Sequence, residues 1–351
     1  MKHVVSFLLG TLLLLDAAAS GEAGRPPAAN PHASPAARAL LAQLQALPAR
    51  PSGRLIAGQH CGGVRRFDER YRTTVDGLAR TSGRRLALIG SDFIGGFSEA
   101  AKVQLTDHWR AGGLVTICYH APNPWTGGTS DDRTIGNFAD LTTPGTAAYA
   151  AWQRTLAQTA QWLAGLRDAG VVVLWRPFHE MNLPESHWWA SRDQSAFIAL
   201  WRQMFIRFSH EEHLDNLLWV YSPNAEWTAP TKATRPAEHY YPGAEYVDVT
   251  GLDLYTRGPL KLREAGYREL LALGKPMALC EFGPRGPAGE REPPDRTYDY
   301  QELLRQLRDE YPAVVYFMAW TDSFALARQN GAADLLRNDW ILTVETLGRQ
   351  P

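Results

Sequence analysis

Two apolar stretches of this chain stop at an acid, and packing does not explain either stop. Val171 to Phe178 is a run of β-branched and apolar residues interrupted by Arg176, and it is followed at once by His179, Glu180 and Asn182. A strand buried on both faces has no packing reason to deliver so many polar side chains to one end. Met277 to Cys280 stops in the same way at Glu281. Two carboxylates held across a cleft can divide the work of retaining glycoside hydrolysis. One protonates the leaving oxygen and the other attacks the anomeric carbon, which requires carboxyl groups roughly 5 to 5.5 Å apart. Glu180 and Glu281 are the candidate catalytic pair.

Something must bring these two acids together. Apolar runs of strand length occur at Leu55 to Ala57, Leu86 to Ile89, Leu114 to Tyr119, Val171 to Phe178, Leu217 to Tyr221, Val247 to Tyr255, Met277 to Phe282 and Val314 to Trp320. Helical periodicity fills the intervals: Phe197, Leu200, Trp201, Met204, Phe205 and Phe208 fall on one face, at the spacing of an amphipathic helix. Gly83, Gly112, Gly113, Gly170 and Gly274 stand where helices should return to strands. Alternating strands and helices of this number predict a single-domain α/β fold, a (β/α)8 TIM barrel, with the last strand closing on the first. The competing open, doubly wound sheet lacks its phosphate-binding turn, since no G-x-G-x-x-G or G-x-x-x-x-G-K-[ST] follows an early strand.

The strands also end alike. Gln59 and His60, Ser91 and Asp92, His120, His179 and Glu180, Ser222 and Asn224, Asp253 and Tyr255, Glu281, and Trp320 and Asp322 follow the eight runs in order. In a barrel all of these share the C-terminal rim, where active sites are built. His60, His120 and His179 raise a metal reading, but H-E-M-N-L-P lacks the second histidine of a helical zinc motif, and a third ligand would have to come from elsewhere. No metal and no cofactor is expected. A serine hydrolase is disfavoured because G-x-S-x-G is absent.

Bulk properties set the remaining bounds. Lys+Arg 36 against Asp+Glu 37 gives no electrostatic reason to expect a nucleic-acid partner. Twelve Trp and 13 Tyr are enough to supply sugar platforms as well as core. Residues 1–20 read as a signal peptide, with Lys2 and His3, an apolar centre from Phe7 to Leu15 and small residues at Ala17 to Ser20. That run is too short to span a bilayer, so a secreted (extracellular or periplasmic) protein without stable membrane insertion is expected, and a monomer. Residues 21–35 read as a flexible arm, and 36–351 as the catalytic barrel domain. Cys61, Cys118 and Cys280 are too few for a disulfide framework, although one bridge is possible.

The residues also carry a family resemblance. R-P-F-H-E-M-N resembles the acid/base motif of glycoside hydrolase family 26, in which endo-β-1,4-mannanases with a (β/α)8 fold dominate. The resemblance continues through G-L-V-T-I-C-Y-H-A-P-N-P, L-W-V-Y-S-P-N, Y-Y-P-G-A-E-Y-V-D-V-T-G-L-D-L-Y and K-P-M-A-L-C-E-F-G, covering about Leu55 to Leu347. It implies that Glu180 is the general acid/base and Glu281 the nucleophile. It further implies that Tyr255 bonds the nucleophile, that His120 and His179 contact sugar, and that Trp320 floors the cleavage point. Arg176 and Asn182 read as orienting groups at the substrate site, and Trp188, or its neighbour Trp189, as a sugar contact. The loop after Asn182 departs from the family, which commonly has H-E-M-N-G-x-W-x-W-W: here the earlier Trp is missing and the spacing is longer. The expected activity is a retaining endo-β-glycanase acting on a polysaccharide or its oligosaccharides. β-1,4-Mannan is the first substrate expected, with mixed-linkage β-glucan or β-1,3-xylan next and a non-catalytic carbohydrate-binding barrel as the alternative.

Overall fold

A computed structural model describes residues 26–63, 66–94, 99–184, 186–190, 193–225, 234–286 and 290–348. The expected signal peptide, residues 1–20, lies outside them. The strands are β1 (Leu55–His60), β2 (Leu88–Phe93), β3 (Leu114–Tyr119), β4 (Val173–Pro177), β5 (Leu217–Tyr221), β6 (Val249–Thr256), β7 (Met277–Pro284), β8 (Val314–Ala319) and β9 (Ile341–Leu342). β1 to β8 pair in sequence order, all parallel, and β8 and β2 both pair with β1, so the eight-stranded barrel is closed. β9 adds a short rung on β1.

Helices alternate with the strands: α1 (Pro35–Ala46), α2 (Phe67–Arg70), α3 (Gly77–Ser82), α4 (Glu99–Arg110), α5 (Ala147–Asp168), α6 (Gln194–Ile206), α7 (Tyr267–Leu271), α8 (Tyr300–Glu310), α9 (Ala332–Arg337) and α10 (Val344–Leu347). Four of the longer ones start at side-chain caps. Ser34, Thr146, Asp193 and Asp299 each accept a backbone N–H of the first turn, which satisfies a donor that the helix itself cannot pair. Strand alternation divides the core. Val173, Trp175, Leu217 and Trp219 pack outward with Leu163, Phe197 and Trp201 of the helices, whereas Leu174, Leu218, Val220 and Met318 fill the barrel interior. The apolar face of α1, Leu40, Leu41 and Leu44, packs with Ala87, Leu114 and Leu218 and so plugs the bottom of that interior.

One expectation is corrected here. Residues 29–34, read from composition as part of a loose arm, are pinned to the barrel: Ala29 N–H donates to Asp248 Oδ1 at 2.7 Å, Asn30 Nδ2 to Asp215 Oδ1 at 2.9 Å, and Ser34 N–H to the Asp215 carbonyl at 2.7 Å. Composition measures the apolar surface a segment can bury, and polar pinning of this kind escapes it. Cys61, Cys118 and Cys280 are all buried free thiols. No helix among the described residues is long and apolar enough to cross a membrane.

Candidate functional site

Backbone geometry aims Glu180 at the barrel mouth. After β4 the chain takes left-handed conformations at Phe178 (φ 52°) and Glu180 (φ 55°), which a non-glycine residue adopts only where its surroundings hold it. The Phe178 ring is enclosed by Trp152, Phe197 and Trp201. Glu180 N–H donates to the Ser222 carbonyl at 2.8 Å, and the Glu180 carbonyl accepts from Leu183 N–H at 3.0 Å. Its carboxylate Oε1 accepts from Asn224 Nδ2 at 2.7 Å. Asn224 is fixed in turn by Asn182, whose Oδ1 accepts Asn224 N–H at 2.7 Å and whose Nδ2 donates to the Asn224 carbonyl at 3.0 Å.

Glu281 is placed by an irregularity in the sheet. Leu252 pairs with Leu279 but Asp253 pairs with Glu281, so Cys280 is an extra residue on β7. Such a bulge re-aims the side chains that follow it. Cys280 contacts Tyr316 inside the barrel, and the next residue, Glu281, also turns inward to meet Arg176 of β4. Tyr255 O–H donates to Glu281 Oε2 at 2.8 Å. Gly283 makes room for that phenol, since a Cβ there would stand 2.3 Å from Tyr255 Cδ1. Arg176, 3 % exposed, also donates to Asp253 Oδ2 at 2.7 Å. Burial alone would lower the guanidinium pKa, but Asp253 and Glu281 outweigh it, and Arg176 is held well above its usual value. Burial, followed by the nearby Glu281, pushes the Tyr255 phenol well up, so it stays protonated as a donor. One carboxylate oxygen from each of Glu180, Asp253 and Glu281 lies within 4.8 Å of the others.

Histidines form the opposite wall. His120 Nδ1 lies 3.2 Å from Asp92 Oδ1, and His60 Nε2 lies 3.5 Å from the same oxygen. Burial would raise the Asp92 carboxyl, yet His60 and His120 hold it well below the carboxylate range. Burial would likewise lower His120, but Asp92 reverses the sign and raises it. Burial, then the Arg176 cation, pushes His179 far down, and burial, then His120, pushes His187 down to about 3, so both rings are neutral near pH 7. His60 stacks on Trp320 with centroids 3.9 Å apart and an interplanar angle of 20°, which fixes the indole as a platform. Two further groupings besides the three carboxylates could hold a metal ion by proximity, His120 with His179 and His187, and His60 with Asp92 and Cys118.

These walls enclose a cavity of about 550 Å³ at the C-terminal end of the strands, a size suited to a small-molecule or glycan segment. Of the residues expected there from sequence, His120, His179, Glu180, Tyr255, Glu281 and Trp320 line it. Arg176, Asn182 and Trp188 do not, which for Trp188 corrects the expected sugar contact. Arg176 and Asn182 are buried behind Glu281 and Asn224. Trp188 is 1 % exposed, packs on Trp152 and Phe178, and donates Nε1–H to the Ala121 carbonyl. Its neighbour Trp189 is equally enclosed. Residues not singled out as site residues also reach the cavity, namely His187, Asn224, Arg285, Arg291, Glu292 and Asp322. Asn224 and Asp322 carried a signal in sequence, each being polar just past a strand end. The others sit in loops with no local motif.

Comparison with known proteins bears on what such a cavity does. The family model described as glycosyl hydrolase family 26 matches residues 29–346. A mannan endo-1,4-β-mannosidase of Bacillus subtilis is 31% identical, with 97% of this chain and 95% of that protein covered. Mannan endo-1,4-β-mannosidase A and B of Caldalkalibacillus mannanilyticus is 32% identical over 97% of this chain and 67% of its own length. Among solved structures, Bacillus subtilis mannanase superposes with a TM-score of 0.79 at 28% identity, covering 91% of this chain and 95% of that one.

Proposed function

The chain belongs to glycosyl hydrolase family 26, and from that premise we propose that it cleaves β-1,4-mannan internally, by double displacement, with Glu281 as nucleophile and Glu180 as acid/base. The observation that carries this reading is the close approach of the two acids, with oxygens within 4.8 Å across a cavity floored by Trp320. That separation is nearer the spacing of retaining than of inverting enzymes. The relatives named for mannan, from Bacillus subtilis and Caldalkalibacillus mannanilyticus, support the choice of substrate.

In the first step a Glu281 oxygen bonds to the anomeric carbon while the glycosidic bond breaks. Glu180 gives its proton to the departing oxygen, so the leaving sugar departs as an alcohol. In the second step Glu180, now a carboxylate, takes a proton from water as the water oxygen displaces Glu281 and restores the first configuration. Arg176 and Tyr255 fix Glu281 and disperse its charge when the ester breaks. Asn224 holds the Glu180 carboxyl in place through Oε1. Trp320 offers its face to the apolar side of a pyranose, and His120 and His179 contact the sugar hydroxyls. The signal pattern of residues 1–20 supports export to where such a polysaccharide is met.

A screen of galactomannan, glucomannan, barley β-glucan and β-1,3-xylan for reducing-end release tests the reading, with the product anomer followed by NMR. Mannans should be cut fastest and the β-anomer should form first. Preference for β-glucan or β-1,3-xylan would overturn the substrate, an initial α-anomer would overturn the mechanism, and sugar binding without any cleavage would leave only a carbohydrate-binding barrel.

A further inference from the structure

Three imidazoles converge on one wall of the cavity, and no step of the proposed reaction transfers a proton through them. His120, just past β3, and His179 and His187, in the loop after β4, each bring a ring nitrogen within 4.8 Å of one on the other two. His120 Nδ1 is taken by Asp92 at 3.2 Å, and His187 Nδ1 lies 3.3 Å from Asp131 Oδ1, which leaves Nε2 of both rings for a ligand. His179 is 2 % exposed, yet its Nδ1 has no hydrogen-bond partner among the described residues. A buried nitrogen left unmatched is destabilising, and His179 lines the cavity, where an occupant can satisfy it.

We propose that His120, His179 and His187 form a binding site for one divalent transition-metal cation of the zinc type. Three imidazoles suit zinc, copper or nickel, and not magnesium or calcium, which prefer oxygen ligands. The carboxylates of Asp92 and Asp131, set on the outer nitrogens of two of the rings, are the partners that orient metal-bound histidines. Three nitrogens on a tetrahedral zinc stand about 3.4 Å apart, so the rings draw together on binding from an arrangement in which their nitrogens lie within 4.8 Å of one another. The strand-end histidines pointed to a different trio, His60, His120 and His179, because His179 and His187 share a loop at a spacing that no helical zinc motif uses.

The remaining ligand position opens into the cavity that Glu180 and Glu281 also line. Metal and sugar therefore exclude one another, and the cation acts as a reversible inhibitor. That consequence rests on the glycan reading, whereas the site itself does not.

The test separates the two. The full chain, freed of metal with a chelator and dialysed, is titrated with zinc chloride by calorimetry in the absence of sugar. One equivalent should bind. Asp131→Asn should weaken binding about tenfold, and with a side chain 74% exposed its loss should leave the circular dichroism spectrum unchanged. His187→Phe should weaken it by at least about tenfold. No stoichiometric site in the native chain, or a site indifferent to both substitutions, overturns the proposal. Zinc chloride should also raise the apparent KM for mannan without changing kcat. One bound zinc with no such effect overturns the exclusion alone, and failure to cleave mannan at all overturns the glycan reading while leaving the calorimetry decisive for the metal.

Discussion

Both ends of the barrel bury a carboxylate, and they treat it differently. At the bottom, Asp248 is 1 % exposed and closed in by backbone: Oδ1 accepts Ala29 N–H at 2.7 Å and Oδ2 accepts Trp219 N–H at 2.8 Å. Burial outweighs those bonds and pushes its carboxyl up to about 6. At the top, Glu281 is buried almost as deeply, 4 % exposed, but its partners are the Arg176 guanidinium and the Tyr255 phenol, and it borders a cavity. Burial alone therefore does not mark a catalytic acid. Lys275 also acts on Asp248 from nearby, so what separates the two is a cation bonded directly to the carboxylate together with a face left open to a ligand.

Substitutions should separate the ends as cleanly. Glu281→Ala should lower kcat on every substrate by about 10⁴-fold or more, read by reducing-end release, because the carboxylate that bonds to the sugar is gone. Arg176→Ala should unfold the chain more easily by about 3 to 5 kcal/mol in urea, since Asp253 and Glu281 then share a buried site with no cation. At the bottom, the effect should appear in stability and not in rate. Native Asp248 takes up its proton near pH 6 and the unfolded chain near 3.8. Between those values the native state holds more protons, so this residue's contribution to stability falls as pH rises from about 4 to 6, by about 3 kcal/mol in all. Asp248→Asn should abolish that decline, measured by urea midpoints across the interval, and leave kcat unchanged. Tyr255→Phe, the mildest change, should lower kcat about 10 to 100-fold with little effect on KM, and a result confined to KM would mean that the phenol serves binding alone.

The barrel was legible because strands covered on both faces read as unbroken apolar runs. The strand ends depart from those runs in several places, most of all in β2, which runs Leu88–Phe93 and not Leu86 to Ile89, and two of the departures have a plain physical cause. β1 continues through Gly58, Gln59 and His60, beyond the apolar run, because Gly58 lies against Met318 inside the barrel and needs no side chain there. β4 starts at Val173, since Val171 and Val172 are core residues of the helix-to-strand return. Glu180, Glu281, Tyr255 and Trp320 were legible as strand-end residues facing one rim. The clamp on Glu281 was not, because it depends on the bulge at Cys280, and one extra residue in a strand leaves no trace in an apolar pattern. Trp188 misled for a related reason: a loop tryptophan looks the same in sequence whether it walls a cavity or fills the core beneath one. His187 reaches the cavity by stacking on Trp189, with centroids 4.3 Å apart, a contact that neither composition nor periodicity encodes.

The central claim is that Glu281 bonds to the sugar. An activated mannoside carrying fluorine next to the anomeric carbon slows the second displacement and should trap that ester. After digestion, mass spectrometry should find one sugar per chain on the peptide containing Glu281, and none in Glu281→Ala. A label on another carboxylate, or turnover of the natural polymer with no trapped species, would contradict the account.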